Sequence, residues 1–300
     1  MTIRTPDRTV HLPALFPELG PLTRTAVRLH PRHGAPTRSD SSLGGPLWWP
    51  SGEPWPGCDD PDRGHGAWRP PGRAGDTATP RTQPLVPVLQ LFARDVPELP
   101  FPPGTDLFQL LWCPAWEHGD YDIALLKVYW RDSTTVSPAD IGPGPLIEVL
   151  TDDELLPNPC VLSPERVTEY PSGHELDQAV YDEVMAWERT SGHRYEYELA
   201  AAPGTKVGGW IDWIQSPEFP DCSCGRPMRY LLTIASWEGN PCSYDRWLPE
   251  WTALNHSTGT AQRPTGHEDA GLMLGDAGSF YLFTCLDCPD RPVTTVFQCS

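Results

Sequence analysis

Short apolar runs punctuated by Pro, Gly and Asp dominate the chain, and they read as β-strands because β-branched and aromatic residues favour a pleated, half-buried surface. Such runs predict strands over 85–92, 106–113, 122–130, 166–170, 194–199, 229–237, 279–284 and 293–298. One stretch has helical periodicity: Leu176, Val180, Val184 and Trp187 recur at the spacing of one helix face, which predicts a helix over about 175–189. The expected class is α+β, mostly antiparallel β.

The pattern also repeats. Sliding the sequence by 164 positions lays Leu43-Gly44-Gly45 on Val207-Gly208-Gly209, Trp49 on Trp213, Trp55 on Phe219, Pro56 on Pro220 and Cys58 on Cys222. At an offset of 172, Phe108, Leu110, Leu111 and Cys113 fall on Phe280, Leu282, Phe283 and Cys285. The reading is two related β-rich halves from an internal duplication. Their expected bounds are 38–130 and 200–300, after an N-terminal segment 1–37 and around a connector 131–199 that carries the helix.

Composition narrows the function classes. With 13 Trp, 9 Tyr and 8 Phe among 300 residues the chain can build a core, while 37 Pro and 26 Gly imply many turns. A formal charge of −18 argues against nucleic acid and anionic membranes as partners and is compatible with a basic one. The N-terminus leads into no apolar leader and no long apolar run follows, so a cytoplasmic protein is expected. Nine cysteines without an export signal point to metal ligation or buried thiols in preference to disulfides.

The C-terminal half carries the strongest chemical signal. Cys285-Leu286-Asp287-Cys288 is a C-x₂-C knuckle, and Cys222-Ser223-Cys224 pairs with it about 60 residues upstream. Four thiolates in two close pairs fit one tetrahedral structural Zn²⁺ per chain and leave no open position for a catalytic water. Because C-x-C is tighter than the usual C-x₂-C, Cys242 and Cys299 stand as reserve ligands for Cys222 or Cys224. The matching N-terminal positions hold Cys58, Asp60, Cys113 and Trp116, two ligands short, with His65 and His118 nearby, so no metal is expected there.

No G-x-S-x-G, H-E-x-x-H, Walker A or G-x-G-x-x-G motif occurs, so no catalytic or organic-cofactor residues are assigned. Trp49 and Trp213 match across the repeat and read as core. Trp48 and Trp210 do not match and are the candidate partner-binding residues.

At Leu43-Gly44-Gly45-Pro46 with Glu53-Pro54-Trp55-Pro56, at Lys206-Val207-Gly208-Gly209-Trp210 with Trp213-Ile214-Gln215, and at Gly275-Asp276-Ala277-Gly278-Ser279, the chain resembles the bacterial YwqG-like family, a domain of unknown function. The cysteine layout around Met228-Arg229-Tyr230-Leu231-Leu232 and Phe283 is similar to the C-terminal domain of the programmed cell death protein 2 family. That second resemblance implies a non-enzymatic, zinc-binding protein-binding module, a chaperone or escort for a basic client. An immunity-type protein neutralising a toxin and an enzyme of unrecognised type are the alternatives.

Overall fold

The computed structural model describes residues 3–58, 83–114, 125–142, 153–239, 242–249 and 269–300. Asp60, His65, Trp116 and His118, and the first three residues of the strand expected over 122–130, lie outside them. Among the described residues no helix is long and apolar enough to cross a membrane.

Among the described residues twelve strands form two six-stranded sheets in which every described pairing is antiparallel. In chain order they are β1 (Arg24–Arg28), β2 (Arg32–His33), β3 (Ser42–Leu43), β4 (Val86–Phe92), β5 (Leu107–Trp112), β6 (Leu126–Arg131), β7 (Cys160–Val161), β8 (Glu165–Glu169), β9 (Lys206–Gly208), β10 (Arg229–Ala235), β11 (Ser279–Thr284) and β12 (Val293–Gln298). One sheet runs β12-β11-β10-β9-β1-β8 and the other β2-β7-β3-β4-β5-β6. The chain divides into two compact units, one of residues 1–32, 162–269 and 273–300, the other of 33–161 and 270–272.

The two sheets share one plan. Val86↔Trp112 and Leu107↔Arg131 in one correspond to Arg229↔Thr284 and Ser279↔Gln298 in the other. Ser42↔Gln90 corresponds to Lys206↔Thr233. A register shift falls between Pro87 and Leu89 in β4 and between Tyr230 and Leu232 in β10, the same place in each ladder. The first strand of each sequence half is exchanged: β1 lies between β8 and β9, and β7 lies between β2 and β3.

That exchange moves the expected boundaries at 37, 130 and 199. The segment 1–37 does not stand apart, because Ala26 and Val27 of β1 are fully buried inside a sheet. Nor is 131–199 a connector: β7 belongs to one unit and β8 to the other. The helix α2 (Gln178–Ser191) packs Val184, with Val180 and Trp187 partly buried, against Leu12, Phe16, Leu19, Tyr195 and Leu199. It ends at Gly192, whose φ of 77 favours a residue without a Cβ.

The strand expected over 194–199 is instead a π-helical turn at Tyr195–Leu199. Its alternation of Tyr195, Tyr197 and Leu199 imitates a strand. Tyr195 and Leu199 are both buried in the core beneath α2, while Tyr197 is exposed, so burial there follows a helical turn and not a pleat.

Candidate metal centre

Two hairpins build the site. The first runs from Pro220 to Met228: the Met228 N–H donates to the Pro220 carbonyl (3.0 Å) and the Cys222 N–H to the Arg226 carbonyl (2.8 Å). Its tip turns at Gly225, where φ is 79 and the Gly225 N–H donates to the Cys222 carbonyl (2.8 Å). The second is the β11–β12 connection, closed by the Cys285 N–H donating to the Pro292 carbonyl (3.1 Å) and the Arg291 N–H to the Cys288 carbonyl (3.1 Å).

These turns bring the sulfurs of Cys222, Cys224, Cys285 and Cys288 within 4.8 Å of one another. Cys222 Sγ lies 3.8 Å from Cys288 Sγ, and Cys224 Sγ lies 3.7 Å from Cys285 Sγ. A disulfide needs about 2.05 Å, so these are four separate thiols. Sulfurs placed tetrahedrally about 2.3 Å from one ion stand about 3.8 Å apart, which the Cys222–Cys288 and Cys224–Cys285 distances match. The four cysteines are close enough to bind a metal ion. Neither Cys242 nor Cys299 belongs to the cluster. The C-x-C spacing reaches one point because Gly225 lets the chain double back directly after it.

The backbone amide of Cys224 is the first cause lowering the Cys222 thiol to about 7, while Cys224 and Cys285 raise Cys288. One sulfur is therefore ready to ionise and another holds its proton. A bound cation would draw all four to the thiolate.

Beneath the site lie Ile211, Met228, Tyr281, Phe283 and Val296, with Trp213 and Tyr230 partly buried against them. Trp213 is 4.9 Å from Tyr281 and 5.5 Å from Phe219, ring centre to ring centre. The other unit has the same assembly with different side chains: Leu47, Leu85 and Leu111 around Cys58 and Cys113, with Trp49 packed 5.0 Å from Trp55 and 4.9 Å from Tyr129. Its hairpin bonds also match, from the Cys58 N–H to the Gln83 carbonyl (2.8 Å) and from the Cys113 N–H to the Leu125 carbonyl (2.9 Å).

The candidate partner-binding tryptophans are both half-buried. The Trp48 N–H donates to Gln90 Oε1 (2.7 Å), and its carbonyl accepts from Gln109 Nε2 (3.0 Å). Trp210 is held more firmly: its indole N–H donates to the Leu22 carbonyl (2.8 Å), and the Arg24 guanidinium lies 3.4 Å from its ring centre. The most exposed large hydrophobic side chain among the described residues is Phe219, 57% accessible, on the approach to the first hairpin.

Reading the sequence missed two groups of residues. The buried pair Lys206 and Glu169 gives no local signal, since its members lie on β9 and β8, which flank β1 and are far apart in the chain. Asp212 had a signal: it falls opposite Trp48 at the same 164-residue offset that aligns the other positions.

Compared with known proteins, the chain matches no family model, and no curated protein matches it significantly.

Proposed function

We propose that this is a non-enzymatic protein whose Cys222, Cys224, Cys285 and Cys288 hold one structural Zn²⁺, and that it binds a basic client protein as a chaperone or escort. The sulfur spacing supports the metal assignment, because two edges of 3.7 and 3.8 Å suit a tetrahedral thiolate site. An all-thiolate set favours Zn²⁺ over harder cations, and it leaves the ion no vacant position for substrate. The matching registers and matching cysteine hairpins favour an origin by internal duplication, with the metal kept in one copy.

The client reading draws on the net charge of −18 and on the resemblance to the YwqG-like and programmed cell death protein 2 families. Metal analysis of the purified chain beside its Cys285→Ser variant tests the first part. One zinc per chain, lost in the variant, is the expected result, and a metal-free wild type overturns it. Affinity capture from the host at moderate salt tests the second: a basic protein recovered stoichiometrically supports the reading, and none recovered rejects it.

A further inference from the structure

The shared register allows the two units to be compared residue by residue, and at four matched positions they differ in size. One unit carries Trp48, Gln90, Phe92 and Leu107, where the unit with the four-cysteine cluster carries Asp212, Thr233, Ala235 and Ser279. Gln90, Phe92 and Leu107 are buried and fill their positions. Their smaller counterparts line a cavity of about 210 Å³.

A second cavity of about 560 Å³ shares Pro203, Asp212 and Ile214 with the first. That volume falls in the range of small-ligand sites, roughly 300–1,000 Å³. Glu188, Glu196, His174, Tyr181 and Trp213 are among its walls; among the described residues no lysine or arginine lines it, while Lys206 lines the smaller cavity. Glu188 and Glu196 each accept one backbone N–H, from Tyr195 (2.7 Å) and Gly173 (2.8 Å), and retain lone pairs for another donor.

Asp212 lines both cavities. Its backbone carbonyl accepts from the Tyr281 hydroxyl (2.8 Å), but its carboxylate makes no hydrogen bond or ion pair with a described residue. The nearby Lys206 ammonium is committed to Glu169 Oε1 and the Trp210 carbonyl. Burial lifts the Asp212 carboxyl to about 7, against the opposing pull of the Lys206 charge.

We infer that the two cavities lined by Asp212 take an arginine side chain, its guanidinium against Asp212 as counter-charge with Glu188 and Glu196 flanking it. A planar guanidinium offers five forked donors to carboxylates, lies well on aromatic walls and is more weakly hydrated than an ammonium. The inference rests on the basic-client reading and specifies which side chain of the client is gripped.

Calorimetric titration of the metal-loaded chain with N-acetyl-L-arginine amide tests it, with the neutral citrulline counterpart as control. Saturable binding of the arginine probe is expected, at least tenfold weaker for citrulline and at least tenfold weaker to Asp212→Asn. Ala235→Phe, which installs the side chain found at position 92, is expected to abolish binding while leaving metal content unchanged. Absence of saturable arginine binding, equal binding of citrulline, or equal affinity in both variants overturns the site. The citrulline comparison needs no variant to fold. Equal capture of a basic client by wild type and Asp212→Asn would reject the arginine site and spare the client reading. Saturable, Asp212-dependent arginine binding with no basic client recovered would do the reverse.

Discussion

Lys206 Nζ lies 2.7 Å from Glu169 Oε1, and both side chains are withdrawn from water. The pair is part of a closed set of bonds: Glu169 also accepts from the backbone N–H groups of Ala202 (2.8 Å) and Trp210 (2.7 Å), and Lys206 donates to the Trp210 carbonyl (2.6 Å). Gly209 completes it, since a Cβ there would stand 2.2 Å from Glu169 Oε2. Charges buried in this way are costly to leave single. Glu169→Gln is expected to cost about 3–5 kcal/mol, and the double change Glu169→Met with Lys206→Met distinctly less. Urea unfolding of the three proteins measures the difference.

His30 gives an acid-sensitive contribution. Its imidazole is pushed down from 6.5 to about 4, first by burial and then by the Arg28 charge, against the opposing hydrogen bond to Glu165 Oε2 (2.9 Å). The unfolded chain therefore binds more protons than the folded one between about 6.5 and 4. The contribution is present above pH 6.5 and lost as pH falls toward 4, by up to about 1.4 kcal/mol per pH unit. Asp212, raised to about 7, works in the opposite direction over the same range. The comparison is thus between wild type and His30→Gln, whose stability is expected to fall less steeply over pH 6.5–4.

If the four cysteines hold zinc as proposed, its removal is expected to loosen the hairpins that carry Cys222 and Cys285. Structural zinc supplies about 10–16 kcal/mol of apparent folding free energy in small metallodomains. A chelator should lower the melting temperature of the wild type and leave that of Cys285→Ser unchanged. Calorimetry with and without chelator reads this directly.

Gly225→Ala separates backbone conformation from packing at the same site. An added Cβ there meets nothing within 4 Å, yet φ is 79. The expected cost is about 1 kcal/mol from the left-handed conformation alone, with metal stoichiometry kept. Thermal denaturation together with metal analysis checks both halves of that statement.

Much of the ladder was legible because its strands are long and strongly patterned. The expected strands over 85–92, 229–237 and 279–284 meet the observed β4, β10 and β11 within two residues. Leu43 and Cys58 aligned on Val207 and Cys222 because the same packing and the same backbone pairings are built twice. Strands β2, β3 and β7 have two residues each and β9 three, too few for any period to show. β1 is masked by Arg24 and Arg28, the latter fully buried with its guanidinium donating to the Trp247 and Glu238 carbonyls. Only tertiary structure makes such an arginine an interior residue. The four cysteines were legible as a cluster, whereas the exclusion of Cys242 and Cys299 depends on where two hairpins point.

The exchange of first strands sets an order of events during synthesis. The last strand of one sheet, β7, is made by residue 161, so that sheet can be completed while the chain is still growing. β1, made well before them, has both its neighbours beyond residue 164. At about 5–20 residues per second it waits roughly 10–35 s for β9. Until β8 and then β9 are made, Ala26 and Val27 have no sheet to enter, which makes β1 a stretch in need of protection on the ribosome.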